Sequence, residues 1–109
     1  MDLASQRCVP CGGGVPGLGP ARIDSLLEEL GQGWSVVDGR LEREYRFPDF
    51  ATALAFTNEV GAIAESEGHH PDILLGWGRV RIRLWTHASD GLTENDFILA
   101  AKISEHARS

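Results

Sequence analysis

The chain is poor in several residues that would advertise a function. Among 109 residues there are two cysteines, one methionine and one tyrosine. Cys8 and Cys11 form a lone Cys-x-x-Cys, half of a four-thiolate zinc site with no second pair to complete it. A thioredoxin-like motif needs a strand before it and a helix opening at it, whereas Gly12 to Pro20 is rich in glycine and proline. The pair therefore reads as incidental or weakly metal-binding, with a redox or metal role as the alternative. Positive charge is scarce: 10 Lys and Arg stand against 16 Asp and Glu, giving net charge −6 and a pI near 5.1. That balance argues against phosphate-backbone binding, so no nucleic-acid partner is expected. No apolar run approaches the roughly 20 residues of a membrane span, so no membrane partner is expected either. The N-terminus lacks the basic-then-apolar pattern of a secretory signal, and a cytoplasmic location is the expectation.

What is present fits one ordinary globular domain. The length suits a single domain able to bury a core without staples, and the composition is 42% hydrophobic and 24% charged. Residues 1–19 read as a flexible Gly/Pro-rich arm and 20–109 as the domain. Pro20 suits a first helical position; Ile23, Leu26, Leu27 and Leu30 recur at helical spacing, and Gly31 offers a stop. Trp34–Val37, the turn pair Asp38-Gly39, and Leu41–Phe47 predict a hairpin. Leu41, Arg43, Tyr45 and Phe47 share one face of the second strand, and Glu42, Glu44 and Arg46 the other. Pro48-Asp49 opens the longest helix, with an expected stripe of Phe50, Ala53, Phe56, Val60 and Ile63, widened by Leu54, Thr57 and Ala64. It should stop near Glu67-Gly68. Ile73–Leu75, a turn at Gly76-Trp77-Gly78, and Arg79–His87 predict a second hairpin. Its last strand puts Val80, Ile82, Leu84 and Thr86 on the core face and Arg81, Arg83, Trp85 and His87 on the other. Thr93 is a good N-cap for a final helix with a modest inner stripe of Phe97, Ala100, Ala101 and Ser104. The order α-β-β-α-β-β-α predicts an α+β fold: a four-stranded antiparallel sheet with three helices on one face.

The chemistry concentrates at Glu65-Ser66-Glu67-Gly68-His69-His70-Pro71-Asp72. Adjacent His69 and His70 point to opposite sides of an extended chain, a poor chelate, and no His-Glu-x-x-His spacing exists; no metal is expected. Histidine titrates nearest neutral pH and can both take and give a proton, which suits general acid–base work. The residues alone leave a bland reading equally open. The His pair would then close a helix end, Asp96 would serve in a capping box with Thr93, and Trp77 would be turn packing.

The full pattern is Glu65, three residues, His69-His70-Pro71, five residues, Trp77, nine residues, His87, eight residues, Asp96. With the Phe47–Phe56 approach and the Cys8–Pro16 arm, it resembles the pterin-4a-carbinolamine dehydratases, bacterial members in particular, over nearly the whole chain. The resemblance implies a hydro-lyase that dehydrates 4a-hydroxytetrahydropterin to quinonoid dihydropterin without a cofactor, recycling the pterin after aromatic amino-acid hydroxylation. It implies catalytic roles for His69, His70, His87 and Asp96, the last beside His87, and substrate contacts from Glu65, Pro71 and Trp77. It also implies a homodimer or homotetramer and a functional link to phenylalanine hydroxylase. Relatives of this fold act as binding partners or assembly factors, and a non-catalytic module of that kind is the alternative.

Overall fold

A computed structural model describes residues 3–8, 17–31, 33–86 and 91–108. Helix α1 spans Pro20–Leu30, strand β1 Ser35–Val37, β2 Arg40–Arg46, helix α2 Phe50–Glu67, β3 Asp72–Gly76, β4 Arg79–Leu84 and helix α3 Glu94–Arg108. The four strands form one antiparallel sheet in the order β1-β2-β4-β3. The expected α+β architecture is therefore the observed one. Asp38 and Gly39 both take positive φ, 51° and 75°, the turn that matches the twist of a tight hairpin.

Alternation along the two central strands separates the faces. Leu41, Val80, Ile82 and Leu84 are fully buried beneath the helices. Glu42 faces Arg83 and Glu44 faces Arg81 across the register, on the side the helices leave open. Each buried aliphatic side chain contributes about 1.5–3 kcal/mol relative to exposure, so a one-residue slip of β4 would reverse a large part of the core. Arg43 shares the core face and lies over the Tyr45 ring at 4.3 Å. Gly33, at φ 98°, makes room for it, since a Cβ there would fall 2.6 Å from the guanidinium carbon.

Helix α2 departs from the expected stripe. Ala53, Phe56, Val60 and Ala64 are buried, but Phe50 and Leu54 are 45% and 40% exposed. The buried row steps by three, four and four residues, which carries it around the helix and away from Phe50. Helix α3 departs further. Rather than a modest stripe, every residue from Asn95 to Ala101 is buried, as are Ile103 and Ser104. The cause is the arm. Leu3–Ser5 forms a short 3-10 helix packed on α3, with Leu3 3% exposed. Lys102 Nζ donates to the Ala4 carbonyl at 2.8 Å, and α1 packs on α3 as well. Leu3 and Ala4 of the arm thus pack on the domain. Trp34 ties the first hairpin to α3 through its indole N–H, which donates to Ser104 Oγ at 2.7 Å. Among the described residues no helix is long and apolar enough to cross a membrane.

Candidate active site

Both ends of α2 are set by side chains and backbone the sequence supplies. At its start the Asp49 carboxylate accepts from Thr52 N–H at 2.8 Å and from Thr52 Oγ1 at 2.6 Å. Those two hydrogen bonds hold the Asp49 carboxyl below its ordinary value of 3.8. At its end Gly68 turns left-handed, φ 65°. Gly68 N–H donates to Glu65 O and His69 N–H to Ala64 O, the paired bonds of a Schellman closure. That closure turns the chain sharply and sends the His69 side chain back toward the start of α3.

There His69 meets Asp96. His69 Nε2 lies 2.6 Å from Asp96 Oδ1, with the imidazole 12% exposed and the carboxylate wholly buried. A buried carboxylate is tolerable only when its lone pairs are filled. Here Oδ2 accepts from Thr86 Oγ1 and from Thr93 N–H, both at 2.9 Å. Thr86 Oγ1 also lies 2.8 Å from Thr93 Oγ1. Thr86 has one hydroxyl proton and gives it to the carboxylate, so the Thr93 hydroxyl donates to Thr86. Asp96 is therefore both half of a capping box, reaching back to Thr93 N–H, and the partner of an imidazole. The two readings left open by the sequence are not exclusive at this residue.

His70 points the other way, 60% exposed, with Nε2 3.4 Å from Glu65 Oε2 at the rim. Pro71 follows at the mouth of a cleft of about 450 Å³ that it shares with Asp72, Ile73, Leu74, Arg81 and Arg83. His87 lies outside the described residues. Its neighbour Thr86 exchanges backbone hydrogen bonds with Gly91, at 2.8 and 3.4 Å, and its hydroxyl donates to Asp96. The carboxylate expected beside His87 is thus in direct contact with His69. Trp77 is not brought to the histidines within one chain. It sits 71% exposed in the β3–β4 turn, six residues beyond Pro71 and up to roughly 20 Å from it at about 3.3 Å per residue. Among the described residues no group of three or more His, Cys, Asp or Glu is arranged to hold a metal ion.

Two residues that sequence patterns mark only as a core-face position and a helix cap, Thr86 and Thr93, belong to the site. The available signal was the threonine immediately before His87, on the inward parity of β4 and so pointing at α3.

The arrangement can transfer protons. With Asp96 accepting the Nε2 proton of His69, the tautomer is fixed and Nδ1 is the ring nitrogen left to take a proton.

The chain is similar in sequence and in shape to known proteins. The profile of the family described as pterin 4 alpha carbinolamine dehydratase matches residues 16–106. A protein of Rubrobacter xylanophilus is 52% identical over 103 residues, covering 94% of this chain and 95% of its own. One of Rickettsia bellii is 51% identical over 103 residues, covering 94% and 91%. Both carry provisional pterin-4-alpha-carbinolamine dehydratase names. A crystal structure described as a transcriptional coactivator/pterin dehydratase from Brucella melitensis superposes with TM-score 0.76 at 33% identity, covering 82% of this chain and 96% of that one. A pterin dehydratase-like protein described as a RuBisCO assembly factor in the alpha-carboxysome superposes with TM-score 0.60 at 28% identity, covering 73% and 95%. On the extent of these matches, the chain belongs to the pterin 4 alpha carbinolamine dehydratase family.

Proposed function

We propose that this protein is a hydro-lyase that removes water from a 4a-hydroxytetrahydropterin, returning the pterin as its quinonoid dihydro form after aromatic amino-acid hydroxylation. The observation that carries the proposal is the His69–Asp96 pair: an imidazole at the end of α2, held at 2.6 Å by a carboxylate that is itself buried and filled by two further donors. The reaction breaks a C–O bond at the carbon bearing the hydroxyl and removes a proton from the adjacent ring nitrogen, forming C=N and releasing water. It needs one group to protonate the departing hydroxyl and one to take the nitrogen proton, each contributing about 10²–10⁴-fold.

His69 is suited to accept a proton, because Asp96 stabilises the cation that results. His87 and His70 supply the remaining proton transfers by their match to the family pattern, with substrate contacts from Glu65, which lies beside His70, and from Pro71. The working protein is a homodimer or homotetramer in the cytoplasm. Its sheet ends in the edge strands β1 and β3, and Phe50 and Leu54 present exposed apolar surface on α2. A hydroxylase of aromatic amino acids, phenylalanine hydroxylase first, would supply the substrate.

The likeness to the assembly-factor structure favours a second reading, a binding module without turnover. One experiment separates the two. Purified protein is mixed with enzymatically generated 4a-hydroxytetrahydropterin, and its decay is followed by absorbance. Acceleration that scales with protein concentration supports the lyase; decay at the uncatalysed rate supports the module. Sedimentation in the micromolar range tests the assembly, and a monomer alone would contradict it.

A further inference from the structure

The charges on the open face of the sheet do not balance along its length. Five of the chain's ten Lys and Arg, namely Arg40, Arg46, Arg79, Arg81 and Arg83, share that face with three carboxylates, Glu42, Glu44 and Asp72. Two steps of the β2–β4 register pair opposite charges, with Arg83–Glu42 at 2.7 Å and Arg81–Glu44 at 3.2 Å. At the next step Arg46 stands opposite Arg79. Like charges directly opposed on neighbouring strands destabilise a sheet. Glu44 reaches Arg46 at 2.6 Å but is already shared with Arg81. Partial burial pushes the Glu44 carboxyl up, yet the Arg81 hydrogen bond and the charges of Arg46, Arg81 and Arg79 outweigh it and hold the carboxyl below its ordinary value. The field at this end of the sheet is positive on an otherwise acidic protein.

Arg79 is the odd member. Its Nε is buried without a hydrogen-bond partner, although a guanidinium normally fills its donors with carboxylate or phosphate oxygens. The side chain lies flat over Gly76, where a Cβ would only touch Nη2 and Nε, at 3.5 and 3.6 Å. Beside it Trp77 is 71% exposed in a two-residue turn. That turn is fastened to the end of β2, since Phe47 N–H donates to Gly78 O at 2.9 Å. A Cβ on Gly78 would meet Phe47 O at 2.8 Å, so the close approach requires glycine. Arg46, Phe47, Trp77, Gly78 and Arg79 line an open depression of about 380 Å³, within the volume range of small-ligand sites.

We propose that Arg46, Arg79 and Trp77 form a second binding site, distinct from the His69–Asp96 centre, for a small oxyanion carried on an aromatic ring: an aromatic carboxylate or aromatic phosphate monoester. The oxyanion lies between the two guanidiniums and accepts from both, and the ring stacks on the indole. Binding adds a counter-charge at the Arg46–Arg79 step, where Glu44 is shared with Arg81.

The test is a titration of ¹⁵N-labelled protein at fixed ionic strength, reading the Trp77 indole and Arg79 Nε–H signals. The probes are benzoate, phenyl phosphate, inorganic phosphate and benzyl alcohol. Benzoate or phenyl phosphate should move both signals saturably, the tighter of the two identifying the oxyanion, while benzyl alcohol moves neither. R79Q and R46Q should each weaken binding by about tenfold or more, the loss expected for a charge-assisted hydrogen bond. Arg46 is 76% exposed, so R46Q keeps its fold even if R79Q does not. Shifts that never saturate, or that persist unchanged in R46Q, would overturn the site. Equal affinity for inorganic phosphate and phenyl phosphate would overturn the role of Trp77.

Discussion

His69 and Asp96, 27 residues apart in the chain, meet at 2.6 Å where the end of one helix faces the start of another. Neither element suffices alone. The Schellman closure of α2 delivers the imidazole, and the capping geometry of α3 delivers the carboxylate with its remaining lone pairs already filled. A pair built from two helix termini is stiff, because both termini are fixed by backbone hydrogen bonds.

The first prediction concerns Asp96. Asp96→Asn keeps the shape but removes the charge that fixes the His69 tautomer and supports its cation. Turnover should fall by about 10–10³-fold with a smaller change in KM, the signature of an interaction strengthened in the transition state. Thr86→Val removes one of the three donors to the carboxylate and should lower turnover less than Asp96→Asn. A silent Asp96→Asn in a steady-state assay would remove the orienting role.

His106 is the control. Its Nε2 bonds Glu59 Oε1 at 2.9 Å and its ring stacks on Phe56, about 15 Å along α3 from Asp96 at 1.5 Å per residue. His106→Ala should leave turnover within about twofold. A loss matching that of His69→Ala would place the reaction elsewhere.

A third prediction concerns stability. Trp34→Phe leaves the buried Ser104 hydroxyl without its indole donor. Urea unfolding should show a loss of about 1–3 kcal/mol, the cost of an abandoned buried polar partner. Turnover per folded molecule should be unchanged.

A fourth concerns pH. Asp49 and Glu44 both have carboxyls held below their ordinary values of 3.8 and 4.5. A depressed folded-state value means the unfolded chain takes up protons first. Their stabilisation is fully present above the ordinary values and is lost as pH falls below them through the depressed ones. Thermal midpoints should therefore drop below about pH 4.5, and Asp49→Ala should flatten part of that drop. An unchanged acid profile in Asp49→Ala would show that the cap contributes nothing through ionisation.

Local chemistry made most of the fold legible. Pro20 and Gly31 bracket α1, Asp49 and Gly68 bracket α2, and Asp38-Gly39 turns the first hairpin, each through a rule that acts within a few residues. The His pair was legible as chemistry for the same reason. What failed was long-range. The near-complete burial of α3 depends on Leu3 and Lys102 binding the arm across the molecule. Asp96 contacts His69 rather than only the nearer strand end, which spacing alone does not reveal. Trp77 belonged to the motif by spacing, yet strand length places it at the opposite end of β3.

The most direct test of the lyase reading is single-turnover decay of 4a-hydroxytetrahydropterin with wild-type protein, His69→Ala and chelator-treated wild type. The account predicts full activity after exhaustive chelation, and a loss of about 10–10³-fold in His69→Ala with the fold retained by circular dichroism. Wild-type activity in His69→Ala, or activity lost to chelation and restored by zinc, would contradict it.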